Sequence, residues 1–218
     1  MQIPFTIKEF LEVFKNYNQS VFPIQIIFYL LVFYGLYLLF KNHKHKNIFL
    51  NSLIAFLWLW IGIVYQLIFF TTINKAAYAF GILFIIQGFM FAYFGAYKNL
   101  VSFKFSNSVS VITGIIFIVY ALIIYPILGY LLGHQYPYSP TFGLPCPTVI
   151  FTFGLLLFTD DKIPVYLLII PLLWSLIGFS AAVNLSVYED FGLLIAGLLG
   201  FVLIIFSNRK FSTKYNAN

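Results

Sequence analysis

Residues 133–154 read GHQYPYSPTFGLPCPTVIFTFG. Pro137, Pro140, Pro145 and Pro147 fall within eleven residues of one another. Each proline removes a backbone donor and disfavours helix in the residue before it, so no continuous helix passes through this stretch. It carries no formal charge and is rich in aromatic rings, unlike a solvated loop. About a dozen apolar residues then separate Pro147 from Asp160, whereas a membrane-crossing helix needs about 20. The expectation is a short helix whose first turn, at Pro147, starts below the outer membrane surface. The Pro-rich segment must dip inward to reach it. Irregular backbone at that depth is tolerated only where it is buried in protein or lines a wet cavity, which predicts an outward-facing vestibule floored by residues 140–148. The first turn of such a helix would offer unpaired N–H groups and a partial positive charge to a polar ligand.

The rest of the chain supplies the solvent for this arrangement. Hydrophobic residues make up 62% of the 218 positions and charged residues 8%, against about 25% charged in a soluble domain. With a mean hydropathy of +0.97, the chain is expected to be an all-α integral membrane protein with the bilayer as its main partner. The net charge of +6 comes from single basic residues scattered between apolar runs, which argues against a nucleic-acid partner. A single cysteine excludes an internal disulfide and a multi-cysteine metal cluster. No metal and no cofactor are expected, and no nucleotide-binding loop is present. The first 19 residues contain Lys8, Glu9, Glu12 and Lys15 and lack the apolar core of a cleavable signal.

Residues 1–19 hold an amphipathic interfacial helix. Thr6 and Glu9 form a capping box, Phe5 and Phe10 a hydrophobic staple, and Phe10, Leu11, Phe14 and Tyr17 share an apolar side. Seven apolar stretches follow, at roughly 20–40, 48–72, 76–97, 108–132, 146–159, 163–183 and 190–207. They compose a single transmembrane domain over 20–207, a seven-helix bundle, and 208–218 is a cytoplasmic tail. Lys41, Lys44, Lys46, Lys98, Lys104, Lys162, Arg209, Lys210 and Lys214 would lie on the cytoplasmic side if the amino end is outside, leaving only Lys8, Lys15 and Lys75 of the 12 basic residues outside. The positive-inside bias thus predicts an outer amino end and a cytoplasmic carboxyl end. Pro23 and Pro147, Trp60 and Trp174, and Phe80-Gly81 and Phe191-Gly192 suggest a 3+1+3 repeat, although residues so common can recur by chance. Pro126 should kink the fourth stretch.

The candidate ligand-binding residues follow from the vestibule. His134, Tyr136, Thr141, Cys146, Thr148 and Thr152 lie in or beside the Pro-rich segment. Gln66 and Gln87 are amides near the middle of apolar stretches, where they act either as interhelical glue or as a solute path. Trp60 and Trp174 are candidate wall residues or interface anchors. Cys146 and His134 also invite thiol chemistry or soft-metal binding, but a metal site wants three or four ligands and no others lie nearby. A structural or substrate-lining role is the expectation for both. Glu189-Asp190 reads as an external turn whose charge suits the start of the seventh helix.

Pro140-Thr-Phe-Gly-Leu-Pro-Cys-Pro-Thr148, preceded by Gly133-His-x-Tyr-Pro137 and followed by Ile150-Phe-Thr-Phe-Gly-Leu-Leu156, resembles the signature of an uncharacterised bacterial multi-pass membrane-protein family, a domain of unknown function. Pro4-Phe5-Thr6 and Tyr17-Asn18 are similar to it too. The resemblance covers most of the chain and implies the bacterial inner (plasma) membrane. It carries no activity. On the residues themselves, the leading expectation is a small-solute transporter or channel-like permease, with a small molecule as partner and no catalytic residues. A membrane-embedded enzyme acting on a lipid or quinone and a non-catalytic sensor or assembly protein remain alternatives.

Overall fold

The computed structural model describes residues 4–215, so the outermost ends of the expected amino-terminal helix region and tail lie outside the described residues. Eight helices account for most of the chain: α1 (Ile7–Val21), α2 (Ile24–Phe40), α3 (Lys46–Thr72), α4 (Ala77–Tyr97), α5 (Val109–Leu131), α6 (Pro145–Leu156), α7 (Tyr166–Leu185) and α8 (Phe191–Tyr215). Five helical stretches, α3, α4, α5, α7 and Tyr188–Lys210, are long and apolar enough to cross a membrane. A sixth is added if α1 and α2, bent by 78° at the Phe22-Pro23 junction, form one broken span. Against an expected count of seven, α2 stops at 17 residues and α6 at 12, because a proline bend cuts the first and the Pro-rich segment cuts the second. The last helix runs to Tyr215, beyond the expected boundary at 207.

α1 starts as its sequence predicts. The Thr6 side chain accepts from Glu9 N–H at 3.2 Å while the Glu9 carboxylate accepts from Thr6 N–H at 2.7 Å, and Phe5 stacks on Phe10 at 5.8 Å. Its apolar side does not stand free in the interface. Val13, Phe14 and Tyr17 are buried, Tyr17 packs edge-on against Tyr65 and Phe69 of α3, and Trp60 Nε1 donates to the Tyr17 hydroxyl at 2.9 Å.

α6 is the axis of the bundle. It packs against α5 and α8, with further contacts to α3 and α7, and every residue in it except Cys146 is buried. Apolar residues surround it on all sides, as a fully enclosed helix requires. Its crossing with α5 is backbone on backbone: a Cβ on Gly114 would lie 2.6 Å from the Gly154 carbonyl oxygen. The helix opens at Pro145 rather than Pro147. Both prolines fit there because the first turn of a helix has no intrahelical use for its N–H groups.

Two other prolines leave backbone carbonyls without a helical partner, and side chains supply one in each case. Pro126 cannot donate to Leu122, where α5 passes through a π-helical turn over Tyr120–Ile124, and the Tyr29 hydroxyl donates to the Leu122 oxygen at 3.2 Å. Pro171 cannot donate to Leu167, and Gln87 Nε2 does so instead at 3.0 Å. The end bearing Lys98, Lys104 and Lys162 is closed by amides. Asn51 donates to the Val101 oxygen at 2.8 Å, Phe103 N–H donates to Asn47 at 2.9 Å, and Asn208 makes a reciprocal pair with the Ile163 backbone at 2.9 and 2.8 Å.

Gly143 has φ +98°, and a Cβ there would strike the Phe28 ring at 2.5 Å. Gly133 has φ +94° with open space around it. Gly133→Ala is expected to cost only the left-handed backbone penalty of about 1–2 kcal/mol, and Gly143→Ala clearly more. Thermal unfolding of the two purified variants in one detergent checks the order.

Candidate functional site

Two side chains of α1 hold the Pro-rich segment: Asn18, and Tyr17, whose hydroxyl donates to the Gly143 carbonyl oxygen at 3.5 Å. Asn18, fully buried on α1, donates through Nδ2 to the Pro137 and Ser139 carbonyl oxygens at 2.7 and 2.8 Å and accepts from Thr141 Oγ1 at 2.7 Å. Gln25 Nε2 donates to the Asn18 carbonyl at 3.1 Å. Phe142 and Leu144, which follow, are buried.

Where this segment meets α6 there is a cavity of about 340 Å³, within the usual range for small-molecule sites. Phe5, Phe10 and Phe14 of the α1 region wall it on one side, Tyr65, Phe70 and Phe80 of α3 and α4 on another, and Trp174, Ile177 and Gly178 of α7 on a third. Pro145, Cys146 and Pro147 contribute the first turn of α6, and Tyr125, Asp190 and the polar Asn74, Ser180 and Asn184 also line it. The walls are mainly apolar and rich in aromatic rings, several of which contact one another: Phe10–Phe14 at 4.6 Å, Tyr65–Phe70 at 5.7 Å and Phe80–Trp174 at 5.4 Å between centroids.

The polar groups converge at the start of α8. Asp190 is 5% exposed, accepts a hydrogen bond from the Tyr125 hydroxyl and stands beside the Cys146 thiol. Glu189 is fully buried, and its Oε1 lies 2.8 Å from His134 Nδ1. The Tyr120 hydroxyl donates to the Glu189 carbonyl at 2.7 Å. The turn read from sequence as an external charge pair is thus an internal junction, tied to α5 and the loop after it by Tyr120, Tyr125 and His134. Trp174 Nε1 is buried against the Cys146 sulfur, with no oxygen or nitrogen acceptor among the described residues. Nε1 and Cys146 Sγ flank the same wall, 3.5 and 3.6 Å from where a Cβ on Gly178 would stand. The absence of a side chain at 178 lets Leu193 pack in, its Cδ2 lying 2.6 Å from where that Cβ would be.

A family model described as a family of unknown function, DUF6064, matches residues 7–215. The chain belongs to that family. No curated protein and no solved structure matches it.

In this DUF6064 chain the sequence-derived candidates separate into groups. Cys146 and Trp174 line the cavity, and His134 stands behind it on Glu189. Thr141 and Trp60 hold α1 in place through Asn18 and Tyr17. Thr152 and Thr148 face inward: Trp58 Nε1 donates to Thr152 Oγ1 at 3.1 Å, and Thr152 donates to the Thr148 carbonyl at 2.8 Å. Gln87 serves the Pro171 break, and Gln66 is buried with both amide atoms unpartnered among the described residues. Tyr136 is 55% exposed. Asp190, Tyr125, Tyr65 and the α1 phenylalanines were not on the candidate list. Asp190 carried one usable signal, a carboxylate beside a long apolar run. Its partners, 44 and 65 residues away in the chain, carried none. Among the described residues no group of three or more His, Cys, Asp or Glu side chains is placed to hold a metal ion.

Two expectations follow. Gln87→Leu orphans the Leu167 carbonyl and should cost about 1–3 kcal/mol, whereas Pro171→Ala restores an N–H to it. The double variant should therefore lose less than the sum of the singles in detergent unfolding. The hydrogen bond to Glu189 raises the His134 pKa above its ordinary 6.5, against the opposing effect of burial. Stabilisation from this pair is complete below pH 6.5 and is lost as pH rises through the raised folded value. Melting temperature should fall across that window in the native protein, and His134→Gln should flatten the slope.

Proposed function

We propose that this protein is a small-solute transporter or channel-like permease of a bacterial inner membrane. The observation that carries the reading is the cavity at the junction of α1, α6 and α8, with the buried Asp190 carboxylate, the Cys146 thiol and the Trp174 N–H in its wall. An ionisable group inside a membrane domain is costly, and such groups mark solute or ion pathways. The irregular 133–144 segment ending at a short helix is the backbone form that solute sites within membranes use, where half-helix ends meet the ligand. In this reading α2 and α6 count as spans, giving seven in a 3+1+3 order. The excess of basic residues at one end supports an orientation with the amino end outside and the carboxyl end inside. The cavity then faces outward, and the amide-closed end faces the cytoplasm.

Thiol chemistry gains less support. Cys146 is flanked by Asp190 and Trp174, while His134, the group that would serve as its base, is engaged by Glu189.

Because Cys146 is the only cysteine, it provides a direct test. In proteoliposomes the protein should take up at least one solute from a broad panel of small polar and charged molecules in a saturable way. An alkyl thiosulfonate added outside should form a mixed disulfide at Cys146 and block that uptake, while Cys146→Ser remains insensitive. Absence of saturable uptake across the panel, or full uptake after mass spectrometry shows complete labelling, would refute the reading.

A further inference from the structure

We infer that the cavity binds a small organic ammonium ion that also carries a hydroxyl or ether oxygen; the inference rests on the proposed solute site but concerns only what that site recognises. Asp190 lies 5% exposed in the cavity wall. Its neighbours there, Tyr125 and Cys146, are neutral hydrogen-bond donors, and among the described residues no Lys, Arg or His forms an ion pair with it. The nearby histidine is bound to Glu189. A carboxylate in such surroundings calls for a cation from elsewhere.

The remaining surface selects the type of cation. A metal ion would want several oxygen, nitrogen or sulfur ligands, and the described residues do not cluster them. The walls instead present Phe10, Phe14, Tyr65, Phe70, Phe80 and Trp174. Aromatic faces around a carboxylate suit an alkylated ammonium ion, whose spread positive charge is attracted to ring faces and whose methyl groups shed water easily. The volume of about 340 Å³ accommodates a cation of a few carbon atoms.

Trp174 Nε1 adds the second element. It is a buried donor that faces the Cys146 sulfur, with no oxygen or nitrogen acceptor among the described residues, and Cys146 itself lies beside Asp190. A ligand that carries an oxygen acceptor beside its ammonium group offers that oxygen to the indole N–H while its charge lies near Asp190. A thiol sulfur is a weak acceptor, so an oxygen supplied to the indole N–H favours the oxygen-bearing ligand.

Three probes separate these contributions: choline, tetramethylammonium, which lacks the hydroxyl, and 3,3-dimethylbutan-1-ol, the neutral isostere of choline. Binding to the purified detergent-solubilised protein is measured by calorimetry. Choline should bind about tenfold or more tightly than the neutral alcohol, and more tightly than tetramethylammonium. Asp190→Asn should bring the choline-to-alcohol ratio close to one, and Trp174→Phe, which keeps an aromatic face, should bring the choline-to-tetramethylammonium ratio close to one. Equal binding of choline and the neutral alcohol to the native protein overturns the inference, as does failure of both cations to bind. That comparison needs no variant, so it holds even if Asp190→Asn fails to fold. Choline that binds without crossing proteoliposome membranes supports the ammonium site and counts against the permease. Saturable flux of another solute with no ammonium binding does the reverse.

Discussion

The carboxamide of Asn18 sets the geometry on which the rest of the site depends. Its two N–H groups hold two carbonyls of a proline-rich segment that has no regular hydrogen bonding of its own, and its oxygen takes the Thr141 hydroxyl. Without these contacts the segment would have unsatisfied backbone groups in an apolar interior, a cost that grows with depth. With them, the chain is held against α1 and delivers Pro145-Cys146-Pro147 to the wall of an enclosed space. The capping box and staple at the start of α1 place Asn18, and Trp60 and Tyr65 secure its helix through Tyr17. The amino-terminal helix is therefore part of the cavity wall.

The same demand for backbone partners recurs wherever a proline interrupts a helix. Tyr29 answers the carbonyl left by Pro126, and Gln87 answers the one left by Pro171. These side chains come from helices other than the interrupted one, so each repair is also an interhelical tie. Such ties are specific in a way that apolar packing in lipid is not, since a slipped helix would lose its acceptor. Some polar residues in this bundle are thus consumed by broken backbone, while Asp190 and Trp174 line the cavity.

Much of the fold is legible in the sequence because its signals are local. The capping box is four residues long, proline breaks act on their own neighbours, and each long apolar stretch became a helix near its expected position. The site was legible at Cys146 and its prolines, where it coincides with such a break, and at Trp174, an aromatic candidate for the wall. Gln87 and Thr152 read as polar residues facing a pathway, and nothing within a few positions shows that a distant carbonyl or indole consumes them. Glu189-Asp190 read as a solvated turn because acidic residues beside an apolar run usually are. Their burial depends on Tyr120, Tyr125 and His134, which the tertiary fold alone brings to them. The aromatic side of α1 was assigned to lipid for the same reason: periodicity shows that a face is apolar, but not which apolar partner covers it.

The enclosure of α6 bears on how the protein senses its membrane. A helix with lipid on one side shifts or tilts when the hydrocarbon layer thickens or thins. α6 meets other helices on every side and is anchored by backbone contact at Gly114 and Gly154. Its position along the membrane normal is therefore referenced to the surrounding protein and not to acyl-chain length. A pocket built on its first turn keeps its shape and depth in bilayers of different composition, while the outer helices absorb the mismatch.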